Sequence, residues 1–278
     1  MSAAELNKAD DLNVLVVQAA TVWHDPKANR DYYSNVLKNQ QESADIIVLP
    51  ETFTSGFSNA ALDQAETMAG ETVAWLQEMA ASCNSAITGS VQIREGGKVF
   101  NRMLWAMPEG HIQSYDKRHL FRMANEHQRY TAGTDRISID YKGWRICPQV
   151  CYDLRFPVFS RNRFNATVAD GYDYDVLIYV ANWPSPRHFA WQTLLKARAI
   201  ENLSYVVGVN RVGSDGNGLD YLGGSTVLDF LGQTLIEAGS TPELMCVRIS
   251  HSALQEFRAR FPVHLDADRF EILNESMP

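Results

Sequence analysis

The chain has 278 residues, 45% hydrophobic and 21% charged, a balance that excludes extended disorder and leaves enough apolar material for one large core. Its formal net charge of −8 excludes a general attraction to nucleic acid or to anionic membranes, because carboxylates outnumber the cations that would neutralise phosphates. With no apolar run near the ~18 residues that span a bilayer, and no basic stretch followed by an apolar one at the N-terminus, a soluble cytoplasmic protein is expected.

After a polar leader, residues 12–18 form a continuous apolar run of the kind buried on both faces of a sheet. Asp25-Pro26 supplies an N-cap and a proline for the first helical turn, opening a helix to about Glu42. Residues 44–50 read as the next strand, ending at Glu51, and 54–59 as loop. Helical composition from 60 to 82 is interrupted near Gly70. Three strands follow at 86–93, 98–107 and 111–116, joined by Gly-containing turns and ending at Lys117. No clean period appears between Arg118 and Asp135, and long irregular connections of this kind often carry function. A hairpin at 137–141 and 144–150 leads to Cys151. A helix is expected over 157–165, a buried strand over 175–180 and a helix opened by Ser185-Pro186, with Ala190, Leu194, Ala197 and Ile200 along its inner face. Strands at 205–210, 225–230 and 245–249 precede a short C-terminal helix. Alternating strands and helices with hairpins imply an α/β protein with mixed sheets, and the lack of any linker or repeat implies one domain over 1–278, with a core of about 12–249 and an extension of 250–278.

Strand ends are where α/β proteins collect their chemistry, and here they present an acid, an amine and a thiol: Glu51, Lys117 and Cys151. Amide cleavage needs a nucleophile, a proton carrier for the leaving ammonia and a group that holds the oxyanion. Cys151 would attack, Glu51 would carry the proton, and Lys117 with the backbone N–H of Tyr152 would hold the oxyanion. Each residue has an ordinary reading beside this one. Glu51 alone suits a loop cap, Lys117 a solvated surface, and Asp153 with Arg155 a structural ion pair. His119 and His127 leave a Cys-His mechanism open. The cysteines, Cys83, Cys147, Cys151 and Cys246, are too scattered for a disulfide framework, and the spacing of Cys147 and Cys151 lacks the company of other metal ligands; no metal or organic cofactor is expected.

Three blocks, Leu49-Pro50-Glu51, Asp116-Lys117-Arg118-His119-Leu120-Phe121 and Val150-Cys151-Tyr152-Asp153-Leu154-Arg155-Phe156-Pro157, resemble the signatures of the nitrilase superfamily of carbon-nitrogen hydrolases. The resemblance implies a four-layer α-β-β-α sandwich of two mixed sheets, a Glu-Lys-Cys triad, a thioester intermediate and a homodimer or higher homo-oligomer. It places the family's second glutamate at Glu126. Ala181-Asn182-Trp183-Pro184, Arg187, the 197–202 segment and the 261–270 tail resemble the omega-amidase branch, which cleaves small 2-oxo acid monoamides (2-oxoglutaramate, 2-oxosuccinamate) to the 2-oxo dicarboxylate and ammonia. Such an anionic substrate requires a locally basic pocket in a chain of net charge −8. Arg122, Arg129, Arg155, Arg161 and Arg187 lie near the motif loops; Arg187 and Arg129 are the candidates for the carboxylate, with Phe57 and Trp183 as walls. Nitriles, aliphatic amides and N-carbamoyl compounds are the alternative substrates, and a non-catalytic binding protein the alternative class.

Overall fold

The computed structural model describes residues 9–272 apart from 60, 61, 64 and 166–170. The polar leader, the first residues of the expected 60–82 helix and the end of the C-terminal extension therefore lie outside the described residues. Two six-stranded mixed sheets form the centre. The first has the order β14-β1-β2-β3-β4-β5, from β1 (Leu12–Gln18), β2 (Ile46–Val48), β3 (Ala86–Glu95), β4 (Lys98–Ala106), β5 (Ile112–Asp116) and β14 (Glu243–Ile249). The second has the order β6-β7-β8-β9-β12-β13, from β6 (Ile139–Tyr141), β7 (Trp144–Val150), β8 (Val176–Ala181), β9 (Tyr205–Asn210), β12 (Thr226–Leu228) and β13 (Thr234–Glu237).

Both sheets repeat one pattern: an antiparallel edge, three parallel strands, then two antiparallel strands. Alternate residues of the continuous apolar strands serve two cores, as the period of two in a strand requires. Val14, Val16 and Val48 meet Val150, Ile178 and Val207 between the sheets. On the other face, Leu15, Val17 and Ile47 pack under α1 (Pro26–Asn39) and α2 (Glu71–Cys83) through Tyr33, Leu37, Leu76 and Met79. Leu177, Tyr179 and Val206 pack under α4 (His188–Asn202) through Trp191, Leu195 and Ala199. The layers run α-β-β-α. Among the described residues no helix is long and apolar enough to cross a membrane.

Departures from the sequence reading have local causes. The 60–82 helix begins only at Glu71, because Glu66 pairs its backbone with Gln92 and Arg94 of β3 and its carboxylate accepts from the Thr72 amide at 2.7 Å. The helix expected over 157–165 stops as α3 (Pro157–Ser160), where Asn162 turns inward to bond Asn202 and the Tyr174 carbonyl. On α4 the inner face is one residue round from expectation: Trp191, Leu195, Arg198, Ala199 and Asn202 are buried, while Ile200 is 56% exposed. The bulky indole of Trp191 sets that rotation, reaching the Gly224 carbonyl at 2.8 Å. A small hairpin, β10 (Val212–Ser214) and β11 (Asp220–Leu222), and the edge strand β13 were not expected.

The C-terminal helix α5 (His251–Arg260) is tied to the second sheet by charge. Arg258 and Arg145 reach the buried Asp175 at 2.6 and 2.7 Å. Burial pushes this carboxyl up, but the two guanidiniums outweigh it and hold the group below the ordinary carboxylate range. A depressed folded pKa stabilises the protein above the unfolded value and that contribution is lost as the pH falls below it. Asp175→Asn is therefore expected to cost about 3–5 kcal/mol in urea unfolding at pH 7, with the gap to wild type narrowing below about pH 4. An equal gap at both pH values would show that the charge is not the source.

Candidate active site

The site is assembled from strand ends of both sheets. Glu51 follows β2, Lys117 follows β5, Cys151 follows β7 and Asn182 follows β8. Two of these ends are strained. Thr52, next to Glu51, has φ 41° and Cys151 has φ 46°, a region that side-chain-bearing residues enter at a cost of about 1–3 kcal/mol and keep only when their surroundings fix them. For Cys151 the fixing group is Asp153. Its carboxylate accepts from the Val150 amide at 3.0 Å, Tyr115 Oη at 2.8 Å, and the His119 amide and Nδ1 at 2.9 and 2.7 Å. The Cys151 turn is thereby stapled to the end of β5.

Lys117 is 1% exposed and Glu51 and Glu126 are fully buried, which sets aside the surface and loop-cap readings. The Lys117 ammonium stands 3.0 Å from Glu51 Oε1 and 3.0 Å from both Glu126 oxygens. Asn101 Nδ2 donates to Glu51 Oε1 at 2.8 Å and reaches Glu126 Oε1 at 3.5 Å. The other Glu51 oxygen accepts from the Asn182 amide at 2.7 Å, and Glu126 Oε2 from the Phe121 amide at 2.6 Å. Burial pushes Glu126 up, with Lys117 pulling against it. Burial would lower the lysine, but the surrounding Glu126, Glu51 and Cys151 raise it well above its ordinary value, so it stays an ammonium.

Cys151 lies beside Glu51, half-buried, with Sγ 3.9 Å from the Asn182 carbonyl. Burial, then the charge of Glu51, raise this thiol well above its ordinary range, with Lys117 opposing them. At neutral pH the resting group is the thiol, and its use as a nucleophile would need a base to remove the proton. Glu51 is the carboxylate in reach.

A small cavity of about 70 Å³ opens on these groups, lined by Phe57, Phe121, Tyr152, Trp183, Arg155, Arg187, Leu219 and Tyr221. A space of this size suits a compact molecule rather than a polymer. Arg155 lies over the Trp183 ring at 5.0 Å and Arg187 over the Phe121 ring at 5.1 Å. Neither has an ion pair among the described residues, so the expected Asp153–Arg155 pair is not formed: Asp153 is taken by its four donors, and Arg155 turns to the pocket. Of the substrate-binding candidates, Phe57, Trp183 and Arg187 line the cavity. Arg129 is exposed and does not, because the short turn Glu126–Gln128 points Glu126 inward and leaves Arg129 outside. His119 is stacked on Phe156 at 3.8 Å and bonded to Asp153, and neither it nor His127 lines the pocket. Cys147 packs under α4, its thiol pushed up to about 12 by burial, away from Cys151's pocket. Among the described residues no cluster is arranged to hold a metal ion.

Sequence reasoning missed Asn101, Asn182 and Tyr221 as parts of this site. Asn101 had a signal, a lone amide in the apolar run of β4, where a buried polar group needs a partner.

Known proteins resemble this chain in sequence and in fold. Residues 13–259 match the family model described as Carbon-nitrogen hydrolase. The chain is 46% identical over 266 residues to Omega-amidase YafV of Yersinia enterocolitica, covering 94% of this chain and 99% of that one. It is 33% identical over 233 residues to 2-oxoglutaramate amidase of Bacillus subtilis, covering 83% and 87%. A solved CN-hydrolase superfamily protein from Xanthomonas campestris, with an arsenic adduct in its active site, superposes with a TM-score of 0.92 at 57% identity, covering 94% of this chain and 99% of that one.

Proposed function

This chain belongs to the carbon-nitrogen hydrolase family and hydrolyses amides, and from that premise we propose that it cleaves the terminal amide of small 2-oxo acid monoamides. The observation that carries the reading is the pair Arg155 and Arg187, two cations on the cavity wall without carboxylate partners among the described residues. A substrate with one carboxylate and one uncharged amide end satisfies them and leaves the amide for the thiol. Glu51 and Glu126 are already held by Lys117, so the pocket offers an ammonium no free carboxylate; 2-amino acid amides such as glutamine are disfavoured against their 2-oxo counterparts. The names of the amidase relatives are consistent with this substrate class.

In the proposed reaction Cys151 Sγ attacks the amide carbon while its proton passes to Glu51. The oxyanion is held by Lys117 Nζ and the Tyr152 amide, the donors that follow β5 and open the turn after β7. Collapse breaks the C–N bond, Glu51 gives the proton to nitrogen, and ammonia leaves. The thioester is then attacked by water, positioned by Glu126, with its proton going to Glu51. The C–S bond breaks, the thiolate recovers that proton, and the product leaves as the 2-oxo dicarboxylate once its new carboxyl has given its remaining proton to solvent. Enclosed, rigid hydrogen bonding of Glu51 by Asn101 and Asn182 keeps the carboxylate aimed through both halves. The same reading carries the expectations of one domain, a cytoplasmic location and a homo-oligomer.

The test is ammonia release from 2-oxoglutaramate and 2-oxosuccinamate beside glutamine, asparagine, a simple nitrile and an N-carbamoyl amino acid. Preferred turnover of the 2-oxo acids is expected. Arg187→Ala should raise KM for them by about tenfold or more, the worth of one charge-assisted hydrogen bond, with a smaller change in kcat and none for a neutral amide. Preferred turnover of a neutral amide or nitrile by the wild type would overturn the substrate assignment.

A further inference from the structure

The two sheets share a strand pattern, so their connections can be compared position by position. In the first, β3 passes to β4 through the turn Gly96-Gly97 alone. In the second, the equivalent passage from β9 to β12 takes the whole of 211–225 and carries the β10–β11 hairpin. This extra segment is what puts Leu219 and Tyr221 on the cavity wall. Tyr221 is 5% exposed and Leu219 44% exposed, so the hairpin gives the cavity wall one buried residue and one open to solvent.

The hairpin is bolted down at several points. Asp215 accepts from the Asn217 and Leu219 amides at 2.8 and 3.0 Å, fixing the tip, and from Tyr221 Oη at 2.9 Å, fixing the ring. The guanidinium of Arg211, itself 1% exposed, lies under the Tyr221 ring at 4.7 Å and donates to the Ser214 carbonyl at 3.1 Å. Ser185 Oγ donates to the Asp220 carbonyl at 2.6 Å, joining the hairpin to the turn that holds Trp183 and Arg187. A Cβ at Gly216 would lie 2.2 Å from Trp23 Nε1, so the hairpin also rests against the segment before α1 with no slack. A loop anchored at its tip, ring and flank is a fixed wall and not a swinging lid.

We propose that the β10–β11 hairpin sets the length of acyl chain this enzyme accepts, with the Tyr221 ring closing the cavity at a fixed distance from Cys151. This rests on the cavity being the amide substrate's acyl pocket, and it holds for whichever amide class the wild type turns over. A fixed apolar wall discriminates between chains one methylene apart by about 10–200-fold, which is the scale such a ruler would produce.

The measurement is kcat/KM for terminal amides differing by one and two methylenes, in wild type, Tyr221→Ala, Tyr221→Phe and Leu219→Ala, each checked for folding by thermal unfolding. If the 2-oxo acid assignment fails in the wild type, the series is built on the amide class that it does hydrolyse, so the two ideas are judged separately. Wild type is expected to favour one length. Tyr221→Ala should raise the ratio for the next longer homologue by about tenfold or more. Tyr221→Phe, which keeps the ring and loses only the bond to Asp215, should hold the wild-type ratio, and Leu219→Ala should shift it less than Tyr221→Ala. No length preference in the wild type, or a Tyr221→Ala variant that loses rate equally on every length, would overturn the proposal. Should Tyr221→Ala not fold, an unshifted ratio in Leu219→Ala and in Tyr221→Leu would do so.

Discussion

Replacing Cys151 by alanine is expected to lower kcat by more than about 10⁴-fold while leaving the thermal unfolding midpoint within a few degrees of wild type. The large effect follows from the absence of a second thiol or aliphatic hydroxyl lining the cavity among the described residues: the other lining groups are Glu51, held by Lys117, that lysine itself, Asn182, two arginines, and aromatic and aliphatic side chains. The small structural effect follows from protonation. Burial and Glu51 keep Cys151 as a neutral thiol, so a methyl in its place strands no charge, and the Asp153 staple on the turn does not involve the sulfur. Cys151→Ser is the sharper variant. It restores a nucleophile of the same shape, but a hydroxyl gives up its proton to a carboxylate far less readily than a thiol, so rescue by less than about tenfold over alanine is expected. Substantial ammonia release by Cys151→Ala would end the covalent mechanism and direct attention to Glu51 as base for a direct attack by water.

How much of this was readable beforehand depends on the length of the element that carries each residue. Glu51 and Cys151 each follow an apolar run, residues 46–49 and the end of β7, and Lys117 follows a strand marked off by the glycine-containing turn before it, so their convergence at strand ends could be inferred. The mixed sheets followed from the alternation of strands, helices and hairpins, and the four layers from the resemblance to the nitrilase superfamily. Tyr221 sits in a three-residue strand among Gly213, Gly216 and Gly218, too short for any period to show, and no element was expected there. Arg155 was misread for a different reason. Adjacency in sequence suggested Asp153 as its partner, but in a tight turn those side chains diverge, and Tyr115 and His119 arrive from 34 to 38 residues away to claim the carboxylate. On α4, spacing alone cannot say which of two adjacent stripes faces the sheet; Trp191 decides it through its reach to Gly224. Pairings of this kind are tertiary, and the local pattern is silent on them.

Lys117→Met separates the two services proposed for the ammonium. Methionine keeps the length and apolar stem, but leaves Glu51 and Glu126 buried and joined only through Asn101, with no cation between them. Two carboxylates in that position do not both stay ionised, and one takes a proton. In the proposed reaction the chemistry then suffers twice: an oxyanion donor is lost, worth about 10²–10³ in kcat, and Glu51 loses the cation that holds it. A fall in kcat of about 10³-fold or more is expected. Stability falls as well, by about 3–5 kcal/mol at neutral pH, the usual consequence of removing one member of a buried ionic group. The pH dependence identifies the cause. Glu126 is already raised in the wild type, where burial outweighs Lys117, and losing the lysine raises it further. Between the unfolded and folded pKa values the folded variant binds a proton that the unfolded chain does not, so its stability declines as pH rises through that window. Urea unfolding should therefore show a larger deficit against wild type at pH 8 than at pH 5. A deficit that does not vary with pH would trace the loss to packing, and a stable variant with near-normal kcat would remove Lys117 from the chemistry and leave it a structural cation.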